Sequence, residues 1–399
     1  MKPRLRMIAW GTAMVALSTM ACTSGSQTST SGESDSNAPL KSLEGYESGG
    51  EDMSGPYEVD PAWPKPLGLP GLTWGRTAAV YAESPDRVFV VQSWMLPILE
   101  NPPEPLVYYL PSRSAVDAPG QVKTHVIMTF DRDGNLVEHW KQWDHLFSLP
   151  HRIATNPWDP ERPIWVADNT GNQVFKFSND GEKLLMKLGE PEPGNDDTHF
   201  HGPNAIAFLP NGDFFIVESY HRVTKWSKDG KLLLSKDTIG TGPGEFGNLH
   251  TVAVDAEQRV YISDWGRTQG QTQVEAMRAG ADLGRIQVFD KDLNYLDEWP
   301  HLPRISSIQI STDQRYLFAT DDTYNKVIQL DLETGRLLSS WGTMGARPGN
   351  LWGPHDLSTD SEGNLYIPEI YNGRVQKFRP RPGADPSRLI GPLYKEHLE

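Results

Sequence analysis

The pattern of apolar positions after about residue 56 predicts β-strands along almost the whole chain. Short runs of Val, Ile, Leu, Phe, Tyr and Trp alternate with turns that are rich in Gly, Asp, Asn and Pro. Such runs between turn signals are typical of antiparallel strands, whereas a helix would need a longer stretch with a period near 3.6 residues. Only residues 273–282 predict a short helix.

One strand pattern recurs and ends each time in an acidic residue. Its copies are Ile164–Asp168, Phe214–Glu218, Val260–Asp264 and Leu365–Glu369. A further apolar strand and a turn follow, as at Asn179-Asp180-Gly181. Units of four short antiparallel strands that repeat in this way predict the blades of a β-propeller.

Six blades fit the length of the chain, so we predict an all-β fold, a six-bladed β-propeller. Their approximate bounds are 72–142, 145–190, 200–238, 248–300, 302–342 and 350–380. The last blade lacks an evident fourth strand, and residues 57–67 are predicted to supply it and close the ring. We assign the recurring acids a structural role, because a strand-end carboxylate can accept N–H bonds from the following turn.

The first residues predict export. A basic start and an apolar stretch over residues 7–17 indicate a signal peptide over 1–21, because a membrane span needs about 20 apolar residues. Cys22, the single cysteine, follows a small residue and predicts a lipid anchor at a bacterial cell envelope, on the outer membrane or cell surface. A flexible Ser/Thr/Gly tether is predicted over 22–55, the propeller over 56–385 and a C-terminal tail over 386–399.

The net charge limits the classes of partner, and the cysteine content limits how the domain can be stabilised. The formal net charge is −15 and no basic stripe is present, which argues against nucleic acid. With one cysteine the domain has no internal disulfide and must be held by its hydrophobic core. We expect a monomer that takes a small-molecule or peptide substrate and reaches the membrane through its lipid.

Three histidines occupy the same place in three copies of the repeat. His151, His250 and His355 are 99 and 105 residues apart, about two repeats, so they fall on blades two, four and six. At the top of the inner strands they would face one another across the axis of the ring. One such histidine would be read as a locally hydrogen-bonded residue, but three converging imidazoles are typical of a metal site with open positions. The matching positions in blades three and five, Asn204 and Ser306, are poor zinc ligands.

The blades resemble NHL repeats and, within that group, the peptidyl-alpha-hydroxyglycine alpha-amidating lyases. These are six-bladed propellers that complete the C-terminal amidation of peptides. The similarity runs from about residue 146 to 378. Its most specific parts are Leu149-Pro150-His151, residues 193–204, 242–250 and 284–289, and Gly353-Pro354-His355-Asp356.

The resemblance implies the contents of the site. It implies a catalytic zinc on the three histidines and a calcium in the central channel, held by Asp356 and the backbone carbonyl of Ile153. Asp356 could instead orient an imidazole. The resemblance also implies Tyr220 as the catalytic base, because a nearby dication favours the phenolate.

Departures from the family pattern fall at the substrate end. Trp265 stands where the family has an arginine; it can line a pocket, and Arg267 is then the nearest catalytic guanidinium. The family's carboxylate-binding arginine of blade one aligns near Gln92, which we place at the substrate although it carries no charge. Gly353 replaces a methionine. His201, before the inner strand of blade three, is predicted to line the pocket.

Together these features predict a zinc-dependent carbon–nitrogen lyase. It would cleave an N-(alpha-hydroxyalkyl) amide to an amide and a carbonyl product, which is glyoxylate if the substrate is a hydroxyglycine. Two alternatives stay open. One is a non-enzymatic surface propeller that binds a protein or glycan, and the other is a propeller lyase or hydrolase that opens an ester or lactone.

Overall fold

The computed structural model describes residues 54–98, 120–266 and 284–391. Within these ranges the chain forms six four-stranded antiparallel sheets and one two-stranded ribbon. The predicted signal peptide, most of the tether, Cys22, Arg267 and the helix over 273–282 lie outside the described residues, so these predictions stay predictions. In the described ranges, no helix has the length and apolar character that a membrane crossing requires.

Nearly all of the regular structure is β-strand. Two 3-10 helices are described, Lys141–Leu146 and Pro386–Arg388. The strands are, in chain order, β1 Tyr57–Asp60, β2 Leu72–Trp74, β3 Thr77–Ser84, β4 Arg87–Gln92, β5 Met95–Pro97, β6 Ile127–Phe130, β7 Leu136–His139, β8 Pro150–Thr155, β9 Ile164–Asp168, β10 Gln173–Phe177, β11 Leu184–Leu188, β12 Pro203–Phe208, β13 Phe214–Glu218, β14 Arg222–Trp226, β15 Leu232–Lys236, β16 Leu249–Val254, β17 Val260–Asp264, β18 Gly284–Phe289, β19 Tyr295–Leu302, β20 Ile305–Ile310, β21 Tyr316–Asp321, β22 Lys326–Asp331, β23 Leu337–Trp341, β24 Ser358–Thr359, β25 Leu365–Glu369 and β26 Arg374–Pro380.

Each four-stranded sheet is one blade of a six-bladed propeller, as the sequence predicts. Blade one is β3-β4-β6-β7, and blades two to five are β8–β11, β12–β15, β16–β19 and β20–β23. Blade six is β24-β25-β26 with β1 as its outer strand, and Val59 of β1 lies opposite Phe378 of β26. Ring closure by the N-terminal segment is therefore confirmed, because β1 pairs with the edge of β26 and completes the four strands of this blade.

The hydrophobic core lies between the blades. Among the described residues, six clusters of buried apolar side chains form, one between each pair of neighbouring blades. Phe89, Trp140 and Phe175 fill the space between blades one and two, while Phe130 and Tyr366 join blade six to blade one. The middle strands are buried on both faces, which explains why they read as continuous apolar runs without alternation.

Two predicted boundaries are wrong. Leu72–Trp74 pairs with Met95–Pro97 in a separate ribbon, so blade one begins at Thr77 and not at 72. At the other end Ile390 is fully buried, and its backbone N–H donates to the Tyr57 hydroxyl at 2.7 Å. The propeller therefore extends through residue 391, and the tail does not begin at 386.

Candidate metal centre

Three imidazoles from three blades meet on the axis of the ring. His151 lies at the start of β8, His250 at the start of β16, and His355 in the segment just before β24. Their ring centroids are 4.6 to 4.9 Å apart, and all three side chains are buried. One nitrogen of each lies within 4.8 Å of those of the others, so the cluster could hold a metal ion. The structure thus brings together the three residues that the repeat spacing pointed to.

Each imidazole is oriented by the next blade around the ring. Its Nδ1 lies 2.8 to 3.0 Å from a backbone carbonyl oxygen, which can only accept, so Nδ1 carries the proton and Nε2 keeps its lone pair. The three carbonyls come from matching positions in the odd-numbered blades. The pairs are His151 with Asn204, His250 with Ser306, and His355 with Ala78. Such bonds to the ring nitrogen opposite the metal fix the tautomer of ligating histidines.

The strand-end acids hold the loops that deliver the histidines. Both oxygens of Asp168 accept from the backbone N–H groups of Ser148 and Leu149, at 2.6 Å each. In blades four and six the matching acids accept from Gly247 and Trp352, each three residues before a histidine. The expected structural role is therefore present, but its partners lie mainly in the loop that enters the inner strand.

The electrostatics suit a metal. Burial lowers the pKa of each of the three histidines well below its usual range, and the nearby cations Arg76 and Arg152 act in the same direction. The imidazoles are therefore neutral at pH 7 and need to lose no proton before they bind a metal ion. Three neutral nitrogens fit the donor set of a catalytic zinc site, whose further coordination position belongs to water or substrate.

Trp265 lies directly against one of these imidazoles. Its ring stacks on His250 with centroids 4.1 Å apart, and its Nε1 donates to the carbonyl of Ile305. The guanidinium carbon of Arg304 lies 5.0 Å from the centroid of the Trp265 ring. Its Nη2 forms an ion pair with Asp322 Oδ2 at 3.0 Å. Where the resemblance implies an arginine, the chain therefore has a tryptophan that supports a ligand, with an arginine from blade five behind it.

Arg76 is a buried cation that sequence reasoning missed. Its Nη1 donates to Ser93 Oγ at 3.1 Å, and no carboxylate of the described residues forms an ion pair with it. Burial lowers the pKa of Arg76 to about 10, so it is still charged at neutral pH. It lies across the β3–β4 hairpin from Ser93, whose N–H donates to its carbonyl at 2.8 Å. Asp322 favours this charge electrostatically without forming an ion pair with it, so the guanidinium can still bind an anionic group of a ligand.

The described side-chain contact of Gln92 lies within blade one. Its side chain is fully buried, and its amide nitrogen donates to the carbonyl of His125 at 3.2 Å. That Gln92 binds substrate stays a prediction. Gly353 has a positive φ of 67°, and a Cβ atom there would overlap the ring of Tyr371. Tyr371 thus takes the space that a larger residue at 353 would need.

His201 and Tyr220 lie together at blade three. Their rings stack with centroids 3.6 Å apart, and Tyr220 is 39% exposed. Tyr220 lies in the turn between β13 and β14, next to Ser219, whose Oγ accepts from the side chain of Asn204 at 2.7 Å. Asn204 also supplies the carbonyl that orients His151. The tyrosine turn is therefore connected to the metal cluster through two hydrogen bonds.

The predicted calcium site does not fit the described contacts. Asp356 is buried and forms an ion pair with Arg152. Its oxygens also accept from Ser307 Oγ at 2.7 Å and from the N–H groups of Val80 and Leu357. Calcium takes six to eight oxygen ligands, and the carboxylate that was expected to bind it is already occupied by protein donors. Ile153, the other expected ligand, is buried in β8.

Comparisons with known proteins place this architecture among its relatives. No protein-family model matches the chain. It is 27% identical over 286 residues to the human NHL repeat-containing protein 3, covering 65% of this chain and 74% of that protein. It is 23% identical over 279 residues to a probable peptidyl-alpha-hydroxyglycine alpha-amidating lyase of Caenorhabditis elegans, covering 65% and 71%. To the Drosophila melanogaster alpha-amidating lyase 1 it is 25% identical over 296 residues, covering 68% of this chain and 51% of that one.

The fold has a counterpart among solved structures. A structural genomics protein of unknown function from Bacteroides thetaiotaomicron superposes with a TM-score of 0.52 at 12% identity, covering 82% of this chain and 74% of that one. The chain is thus a six-bladed propeller homologous to NHL-repeat proteins and to amidating lyases, which confirms the resemblance drawn from its motifs.

Proposed function

We propose that the protein is a zinc-dependent lyase that cleaves the C–N bond of a carboxylate-bearing N-(alpha-hydroxyalkyl) amide. The observation that carries the proposal is the cluster of three buried imidazoles whose Nδ1 atoms are all held by backbone carbonyls. The similarity to proteins named as alpha-amidating lyases supports the reaction class. A purely structural propeller would have no need for three oriented, unprotonated ring nitrogens on its axis.

Each group has a distinct task in this reaction. Zinc held by the three histidines would supply a Lewis acid next to the hydroxyl of the substrate. Arg76 binds the substrate carboxylate, because its buried charge has no carboxylate partner within the described chain. Tyr220 accepts the hydroxyl proton as the C–N bond breaks and the C=O bond forms. The departing amide nitrogen takes up one proton, so no net proton is consumed.

Metal content and product formation test the proposal together. Purified protein is expected to contain about one equivalent of zinc and to release glyoxylate from alpha-hydroxyhippurate, with benzamide as the second product. Protein that contains no metal and releases no glyoxylate would contradict it. Protein with a full equivalent of zinc but no glyoxylate would contradict the substrate class and favour the ester- or lactone-opening alternative.

The Arg76→Gln variant tests the substrate end of the site. We expect kcat/KM for alpha-hydroxyhippurate to fall by about 10- to 150-fold, mostly through KM, because one charged hydrogen bond contributes about 1.5–3 kcal/mol. The same variant should lose much less on the matching carboxamide, which has no charge to bind. Arg315→Gln, at an exposed arginine, is the control. Equal losses on both substrates would show that Arg76 does not bind the carboxylate.

A further inference from the structure

Arg152 extends its side chain from the inner strand of blade two into the centre of the ring. It follows His151 directly and is buried. Its guanidinium forms an ion pair with Asp356, donates from Nη1 to Ser307 Oγ at 3.1 Å and from Nη2 to the carbonyl of Ser306 at 2.7 Å. A single side chain therefore joins blades two, five and six at the axis.

These partners are the immediate neighbours of the metal cluster. Asp356 follows His355 in the chain, and the Ser306 carbonyl that accepts from Arg152 also accepts from the Nδ1 of His250. Arg152 follows His151 in the chain, pairs with the residue that follows His355, and shares the Ser306 carbonyl with His250. A shift of its guanidinium would therefore change the positions of groups next to all three imidazoles.

The same side chain lines a cavity inside the ring. A cavity of about 190 Å³ is lined by the inner strands of several blades and reaches Trp158. Arg152 and Asp356 are part of its wall, whereas none of the three histidines is. The ion pair therefore borders this cavity, and both of its members directly follow a histidine of the cluster in the chain.

We propose that Arg152 is the permanent cation of the axial channel, that it positions the three histidines, and that the protein consequently binds one divalent ion and not two. A guanidinium presents several donors in a fixed plane, which matches the carboxylate and carbonyl acceptors around Arg152. A divalent ion at Asp356 would lie against this buried positive charge in a medium that screens little. This role of Arg152 rests on the proposed zinc site, but it would hold whichever reaction the protein catalyses.

Metal analysis of the wild-type protein gives the first test. After dialysis against millimolar calcium and then metal-free buffer, the protein is expected to contain about one equivalent of zinc and less than a tenth of calcium. Its melting temperature should not respond to a calcium-selective chelator. About one equivalent of calcium, whose removal lowers the melting temperature, would overturn the proposal whatever the variants do.

Arg152→Ala gives the second test. Removal of the guanidinium leaves the buried Asp356 carboxylate without its counter-ion and removes one of the two donors to the Ser306 carbonyl, so the variant should melt at a lower temperature and hold less zinc. Millimolar calcium should then raise its melting temperature by several degrees and restore zinc binding, because a ligand that binds only the folded state stabilises it. The same addition should leave wild type unchanged.

Arg152→Lys is the matched control. It keeps a positive charge near Asp356 but cannot bond all three partners, so it should show weaker zinc binding without any response to calcium. A folded Arg152→Ala protein that ignores calcium and keeps full zinc occupancy would overturn the proposal. Should that variant fail to fold, the lysine variant and the wild-type calcium content still decide it.

Discussion

Replacement of His250 by alanine is expected to lower bound zinc from about one equivalent to well under a tenth, and to reduce glyoxylate release to background. With two imidazoles left, the cluster loses one of the three protein ligands that a catalytic zinc site requires. The loss should exceed that of any other single change, because the metal and the reaction disappear together. Metal analysis of the purified variant and a glyoxylate assay measure both.

The control separates metal loss from unfolding. His145→Ala removes an exposed histidine of the 3-10 helix over Lys141–Leu146 and should keep full zinc and full activity. Circular dichroism should show the β-structure of His250→Ala intact at 25 °C, although its melting temperature falls. A folded His250→Ala protein that retains one equivalent of zinc would remove the basis of the proposed function.

The propeller was predictable because its strands have a local signature. A middle strand such as Phe214–Glu218 is buried at every position, so it reads as an unbroken apolar run that repeats blade after blade. The missing strand of the last blade pointed to the N-terminal segment, since a closed ring needs a partner for β26. The boundaries at 72 and 385 failed because tertiary contacts decide them. The Leu72–Trp74 ribbon and the burial of Ile390 against Tyr57 leave no local pattern.

The histidine cluster was predictable for a similar reason. Ring symmetry turns a spacing of two repeats into a shared position on the axis, so three residues that are far apart in the chain could be placed together. The sequence gives no such signal for Arg76 or Arg304, because their contacts near the site are made only in the folded protein. Arg76 contacts Ser93 across a strand pair, and Arg304 lies over Trp265 at a blade interface. Gln92 lies opposite Thr77 in the β3–β4 ladder, and the arginine that donates to Ser93 is Arg76, directly before β3.

The poor fit of calcium at Asp356 depends on a residue that was visible in the sequence. Arg152 stands between His151 and Ile153, and a cation at that position competes with any metal ion at Asp356. The sequence does not show that the Arg152 side chain extends to Asp356 in the centre of the ring and not into a blade interface. Strand alternation alone does not distinguish the two, because both directions are buried in a propeller.

Replacement of Tyr220 by phenylalanine is expected to lower kcat by about 10²- to 10⁴-fold, the range for loss of a general acid–base group, with zinc content unchanged. The substitution removes only the phenolic oxygen and keeps the ring that stacks on His201. KM should change little, since the carboxylate of the substrate is held by Arg76. Stopped assays of glyoxylate with alpha-hydroxyhippurate measure both constants.

Two further variants determine whether the phenol or the stack matters. Tyr324→Phe changes a tyrosine that is 60% exposed in the matching turn of blade five and should have no effect. His201→Ala removes the stacking partner but leaves the phenol, so we expect a loss of less than about tenfold, from looser positioning of one ring. Suppose that Tyr220→Phe keeps kcat within a factor of about three, whereas His201→Ala abolishes activity. The imidazole of His201 and not the phenol of Tyr220 would then be the general base, because loss of the general base slows the chemical step.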